Sequence, residues 1–108
     1  MYTAIRRGKS NPGSMNELAR RLQDGFVPIL RNQPGFIAYY FVNLGNDEAM
    51  SISVFETKDA AEKSNQLSAD WDRQNIAQLI PAPPQPSTGE VLVNVTKYQE
   101  GARASSNG

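Results

Sequence analysis

The sequence predicts an α+β fold, an antiparallel sheet with two helices on one face and elements in the order β-α-β-β-α-β. Three observations carry this. Two strand-length apolar runs, Phe36–Asn43 and Ala49–Phe55, flank a loop holding Gly45-Asn46-Asp47 and so read as a hairpin. That hairpin stands between two stretches of helical character. A short segment rich in strand formers lies near each end, Tyr2–Arg7 and Val91–Tyr98.

Taken in order, Tyr2–Arg7 is the first strand, and Asn11-Pro12-Gly13 supplies turn chemistry after it. Ser14-Met15-Asn16-Glu17 fits a capping box, which predicts a helix starting at Met15. Met15, Leu18, Leu22, Phe26, Ile29 and Leu30 recur at helical spacing and form one apolar stripe to about Arg31. Pro28 removes an amide from this helix and crowds the Asp24 carbonyl, so a kink near Gly25–Pro28 is expected, the alternative being a helix that ends at Val27. Phe36–Asn43 is apolar on both alternating faces, as a strand covered on both sides is. Ala49–Phe55 alternates more cleanly. Thr57 is a good N-cap and Asp59 suits the helix dipole, so a second helix is expected to run to about Ile80, before Pro81. Pro81–Ser87 reads as an extended connector, Val91–Tyr98 as the last strand, and residues 99–108 as a frayed tail beyond a single domain of residues 1–98. With right-handed crossovers, this order is the ferredoxin-like split βαβ arrangement. Strands apolar on both sides need a second cover, and another copy of the same sheet would supply it.

Composition narrows the function classes. The 108 residues carry 11 basic and 11 acidic side chains, so net charge is zero and a strong non-specific hold on nucleic acid or anionic lipid is not expected. RNA recognition by this strand order needs aromatic rings on the first and third strands, where the third offers Ser51 and Ser53 and the first only Tyr2. There is no Cys and no His, which removes thiolate chemistry, the commonest metal ligand and the commonest general base. No apolar run reaches membrane-span length and no targeting segment is visible, so a soluble cytoplasmic chain is expected.

On the second helix, Ala60, Ser64, Leu67, Trp71, Asn75 and Gln78 fall on one stripe. Facing the sheet, this stripe is polar for a core, and buried polar groups need partners or water. The expectation is a hydrated pocket inside each protomer, with Trp71 as its apolar wall and Ser64, Ser68 and Asn75 orienting a small-molecule ligand, the alternative being a tilted helix whose serines bond to their own i−4 carbonyls, with Trp71 in the core. Tyr39 and Tyr40 point to opposite faces, so only one of them can line that pocket, and packing is the commoner role of a strand tyrosine. Arg6 is a candidate for binding a phenolate. Asp70 and Asp72 flank Trp71 and read as solvated. No triad, paired-carboxylate, phosphate-loop or metal-ligand spacing is present.

Pro34-Gly35-Phe36 after a helix, Ser53-Val54-Phe55 leading into Thr57-Lys58-Asp59-Ala60-Ala61, the Ser68/Trp71 spacing and Gly89-Glu90-Val91 resemble the antibiotic-biosynthesis-monooxygenase domain. The resemblance runs from Tyr2 to Tyr98 and implies a homodimeric α+β barrel. Heme-degrading members of that superfamily use an axial His, which this chain lacks. Cofactor-free oxygenase members are the better match, since they arrange Trp, Asn, Tyr and Arg around a phenolic substrate. The resemblance thus implies a cofactor-independent monooxygenase acting on a hydroquinone-like aromatic. It assigns Trp71 and Asn75 as catalytic candidates, and Ser64, Ser68, Tyr39, Tyr40 and Arg6 as substrate-binding candidates. The alternative is a non-catalytic ligand-binding or stress-related dimer.

Overall fold

The computed structural model describes residues 1–97. Strand β1 (Tyr2–Lys9) is followed by helix α1 (Met15–Arg21), a π turn (Leu22–Phe26), helix α2 (Val27–Arg31), strands β2 (Phe36–Gly45) and β3 (Glu48–Phe55), helix α3 (Lys58–Asn75), a 3-10 turn (Ala77–Leu79) and strand β4 (Gln85–Glu90). Among the described residues the sheet has four strands in the order β2-β3-β1-β4, each antiparallel to its neighbours. This is the expected ferredoxin-like topology, with the helices packed on one face.

The register sorts side chains into two sets. Toward the helices run the rows Ala4–Ser53–Tyr39 and Arg6–Ser51–Phe41 across β1, β3 and β2. Toward the other face run Ile5–Ile52–Tyr40 and Arg7–Met50–Val42. The helix-facing side is closed by Ala4, Leu18, Leu22, Phe26, Leu30, Phe55, Ala61 and Ile76, which make one core. The opposite face has no cover within the described chain, and Tyr40 and Val42 are exposed on it.

The first helical course does continue to Arg31, and its irregularity is a π turn that places Pro28 in the first turn of α2. The proline, which has no amide to offer the preceding turn, thus follows directly on the widened π turn. Gly25 is required in this turn by a close approach. A Cβ at this position would stand 2.8 Å from the Trp71 ring. The capping box does not form. Ser14 makes no side-chain cap, and Glu17 instead pairs with Arg20 and Arg21. Thr57 does cap α3, accepting from the Ala60 amide at 3.2 Å.

Two expected boundaries move. Helix α3 stops at Asn75 and not near Ile80, because Ile76 leaves helical geometry (φ −131°, ψ 15°) to send its side chain into the core. The last strand is Gln85–Glu90, so the end of the stretch read as a connector, Gln85 to Ser87, belongs to the sheet edge. Proline is admissible on an edge strand where its missing amide faces away from the neighbour. The apolar residues expected to form that strand, Leu92, Val93 and Val95, lie beyond β4 and are more than 80% exposed. Tyr98 and the tail of residues 99–108 lie outside the described residues. Among the described residues, no helix is long and apolar enough to cross a membrane.

Candidate functional site

Strand β1 is central in the sheet, and Arg6 points from it toward the helices, only 4% exposed. A buried guanidinium needs its donors satisfied. Its Nε donates to Ser51 Oγ at 2.8 Å and one terminal nitrogen to Ser53 Oγ at 2.7 Å, both across the β1–β3 ladder. The other terminal nitrogen donates to Asn65 Oδ1 on α3 at 3.0 Å. The guanidinium carbon also stands 5.8 Å from the centroid of the Phe26 ring, within cation–π range. The serines that break the apolar pattern of β3 are thus the cradle of one cation, and they fix its position rigidly.

Opposite Arg6, the inward stripe of α3 is Ala61, Ser64, Ser68 and Asp72. Asp72 is buried, which corrects its expected solvated position, while Asp70 pairs with Arg73 at the surface. Burial pushes the Asp72 carboxyl up to about 6, against the opposing pull of the Arg6 charge and a hydrogen bond from Ser68. Burial likewise lowers the Arg6 value, with Tyr39 and Asp72 acting the other way. The Tyr39 hydroxyl is buried close to Arg6 and Ser51 but makes no hydrogen bond of good geometry. Burial raises its value, and Arg6 opposes that rise.

These groups open onto a cavity of about 280 Å³. Arg6, Ser68 and Asp72 form its polar floor. Pro81, Pro83, Pro84 and Pro86 form a flat apolar wall, and Asn65 and Arg73 stand at the α3 side. Asn65 also ties α3 to β4 by donating to the Ser87 carbonyl at 3.1 Å, which holds the proline wall in place. Chemically, the floor offers a fixed cation beside a carboxyl that titrates near neutrality. Such a pair can take a proton from a weak acid and hold the resulting anion.

The sequence-predicted residues separate. Arg6 and Ser68 reach the cavity. Tyr39 faces the same interior from β2, with β3 between it and the strand of Arg6, whereas Tyr40 is on the opposite sheet face and 57% exposed. Ser64 is buried but does not line the cavity, and it returns its hydroxyl to the Ala61 carbonyl at 2.7 Å. Trp71 does not wall the cavity. It turns sideways between α3 and the π turn, against Phe26 at 5.6 Å between centroids and against Gly25. Asn75 is exposed and caps its own helix by donating to the Trp71 carbonyl at 2.9 Å. The missed residue is Asp72. Its signal was the Ser64–Ser68–Asp72 spacing, four residues at each step, which a stripe centred on the largest apolar ring conceals.

With the geometry in hand, the chain can be set beside known proteins. The family profile described as antibiotic biosynthesis monooxygenase matches residues 1–69. The chain belongs to that family. The matched part holds Arg6, Ser51, Ser53, Asn65 and Ser68 but stops short of Asp72 and the proline wall. No curated protein matches this family member. Among solved structures, a protein of unknown function from Nitrosomonas europaea is similar at 20% identity and TM-score 0.70, covering 88% of this chain and 92% of that one. A putative antibiotic biosynthesis monooxygenase from Bordetella bronchiseptica is similar at 16% identity and TM-score 0.70, covering 85% and 97%. A monooxygenase from Streptomyces coelicolor, solved in complex with nanaomycin D, is similar at 16% identity and TM-score 0.67, covering 88% and 90%. At these identities, the likeness establishes the fold.

Proposed function

We propose that the protein is a cofactor-independent monooxygenase of a small hydroquinone-like aromatic, bound in the Arg6–Asp72 cavity. The observation that carries this reading is the buried, rigidly held Arg6 beside a carboxyl of pKa about 6 at the floor of an apolar-walled cavity. The Streptomyces structure with its small-molecule ligand supports a ligand role for this fold.

The substrate ring lies against the proline wall with its hydroxyl toward the floor. Asp72, as carboxylate, takes the phenolic proton, and Arg6 stabilises the phenolate. The electron-rich phenolate gives one electron to dioxygen, forming an aryloxyl radical and superoxide. These combine at a ring carbon to form a C–O bond. The peroxide O–O bond then breaks as the ring hydrogen leaves, giving a quinone carbonyl and water. One oxygen atom enters the product, and the other leaves as water with the ring and phenolic hydrogens. The protein's part is to bind, to move one proton and to keep the radical pair out of bulk water.

Oxygen uptake with a panel of hydroquinones tests this. Asp72→Asn and Arg6→Lys are each expected to lower kcat/KM by at least about tenfold, and the exposed control Gln74→Ala to leave it unchanged. Equal activity in all three variants would remove the assignment. A second reading, ligand binding without turnover, is favoured by one observation. Trp71 and Asn75, the side-chain types that the resemblance makes catalytic, stand away from the cavity. Its signature is saturable binding of the aromatic, weakened by Arg6→Lys, with no oxygen uptake.

The protomers are further proposed to pair through the uncovered sheet face, where Tyr40, Val42, Met50 and Ile52 give an apolar surface that association would remove from water.

A further inference from the structure

We propose that the ligand of the Arg6–Asp72 cavity carries a carboxylate on its aromatic ring, which Arg6 holds as its counter-ion. For turnover this rests on the oxygenase reading above, whose substrate class it narrows to hydroxylated aryl carboxylates. The binding of the carboxylate stands on the surroundings of Arg6 alone. Arg6 is a buried cation whose three hydrogen bonds all go to neutral acceptors, Ser51, Ser53 and Asn65. A guanidinium has five N–H donors, so one on each terminal nitrogen lies outside these bonds. Tyr39, close by, keeps its proton, its value raised by burial. Among the described residues no carboxylate stands at ion-pair distance from Arg6, Asp72 included.

Burying a charge is costly unless an opposite charge accompanies it. Asp72 does not serve as that charge. A carboxyl paired closely with Arg6 would titrate below its ordinary value, and burial holds this one up at about 6. The cavity puts the uncompensated cation within a ligand's reach. Arg6 lines it, and so does Asn65, the acceptor on one terminal nitrogen. The other charged side chains of the lining are Asp72 and Arg73, and Arg73 is paired with Asp70 at the surface. Lys9 lines an adjoining recess together with Arg6 and Asp72. The lining therefore carries net positive charge when Asp72 is protonated. A carboxylate is the anion that a planar guanidinium recognises best. A hydroxyl ortho to it on the same ring stays beside Asp72, the base of the proposed reaction.

Binding is measured without oxygen, so that turnover plays no part. Calorimetry on the intact protein at about pH 5, with Asp72 protonated, is expected to show benzoate bound at least about tenfold more tightly than benzamide, its neutral analogue. Methyl NMR is expected to place the benzoate by shifts at Ala69, Ala77 and Ala82 of the lining, and none at Ala61, which is buried elsewhere in the core. Benzoate bound no more tightly than benzamide, or shifting Ala61 as much as the lining alanines, overturns the proposal and needs no variant to fold. Arg6→Gln is expected to abolish the preference, and a folded Arg6→Gln protein that keeps it overturns the proposal as well. In the oxygen electrode, 2,5-dihydroxybenzoate is expected to exceed hydroquinone in kcat/KM at least about tenfold. Uptake with hydroquinone that equals or exceeds uptake with 2,5-dihydroxybenzoate overturns the carboxylate and leaves the oxygenase reading standing. Selective benzoate binding with no uptake from either ring leaves the anion site standing and removes the oxygenase reading.

Discussion

Burying a carboxyl without a close ion pair disfavours its charged form, and Asp72 shows the consequence in a pKa of about 6. In the unfolded chain an Asp titrates near ~3.9. Between those two values, the folded state binds the proton that the unfolded state has released. Asp72 therefore contributes stability that is fully present below the unfolded value and is lost as pH rises through the folded one. The stability of the wild type relative to Asp72→Asn is expected to fall between pH 4 and pH 7 by on the order of 2 kcal/mol, measured by urea denaturation across that range. The same titration has the opposite sign for catalysis. A general base acts when deprotonated, so kcat/KM is expected to rise with pH through about 6 and level off above it. Asp72→Asn is expected to lose that limb. Arg6 belongs to the same scale. Its hydrogen bonds to Ser51, Ser53 and Asn65 make it a poor candidate for conservative exchange, since Lys offers a point charge in place of a planar fork and leaves some of these acceptors unmet.

The first helical course and α3 are fitted to each other at one contact, Gly25 against Trp71. The π turn bulges the helix, and the missing side chain at Gly25 makes the slot into which the indole turns. That slot is why the inward stripe of α3 is Ser64, Ser68 and Asp72 and why Trp71 sits at its flank. Gly25→Ala would place a methyl 2.8 Å from the ring, and the rigid indole must shift. Overpacking of this kind costs about 1–3 kcal/mol, so the melting temperature is expected to fall by several degrees. Because the chain has one Trp, the fluorescence of Trp71 reports the shift directly. An unchanged melting temperature and spectrum would show that the slot has room. At the far end of α3, the break at Ile76 and the 3-10 turn redirect the chain so that Pro81–Pro86 returns along the sheet edge and encloses the cavity.

At the scale of the molecule, among the described residues, one sheet face is covered by helices and the other is bare. The bare face includes Tyr40 at 57% exposed and Val42 at 37%, beside the half-buried Met50, Ile52 and Val54. A contiguous apolar face of this sort marks an association surface in a soluble domain. A charge at its centre should be incompatible with pairing, because burying an unpaired carboxylate is costly. Ile52→Asp is expected to sediment as a monomer at micromolar concentration where the wild type sediments as a dimer. A wild-type monomer at that concentration, or a dimeric Ile52→Asp, would contradict pairing through this face.

The topology was legible in the sequence because it depends on short-range signals: the apolar runs of β2 and β3, the Asn46-Asp47 turn between them, the helical stripe from Met15 to Leu30, and the Thr57 cap. Ser68 was legible as a polar residue at the edge of a stripe expected to face the sheet, whereas Arg6 was a candidate by side-chain type alone and its burial was not legible. Three features waited for the tertiary structure. The last strand is drawn from Gln85–Glu90 and not from the more apolar stretch after it, because β1 selects its partner by register and by the reach of the chain from Ile76, and β propensity yields to both. The rotation of α3 was decided by the space that Gly25 leaves for Trp71, a contact between residues 46 positions apart that no local pattern encodes. That rotation moved Trp71 and Asn75 away from the cavity and brought Asp72 in. A carboxyl becomes a base of pKa about 6 only where folding removes its water, against the pull of the Arg6 charge, so its chemistry is a property of the assembled site, not of the residue type.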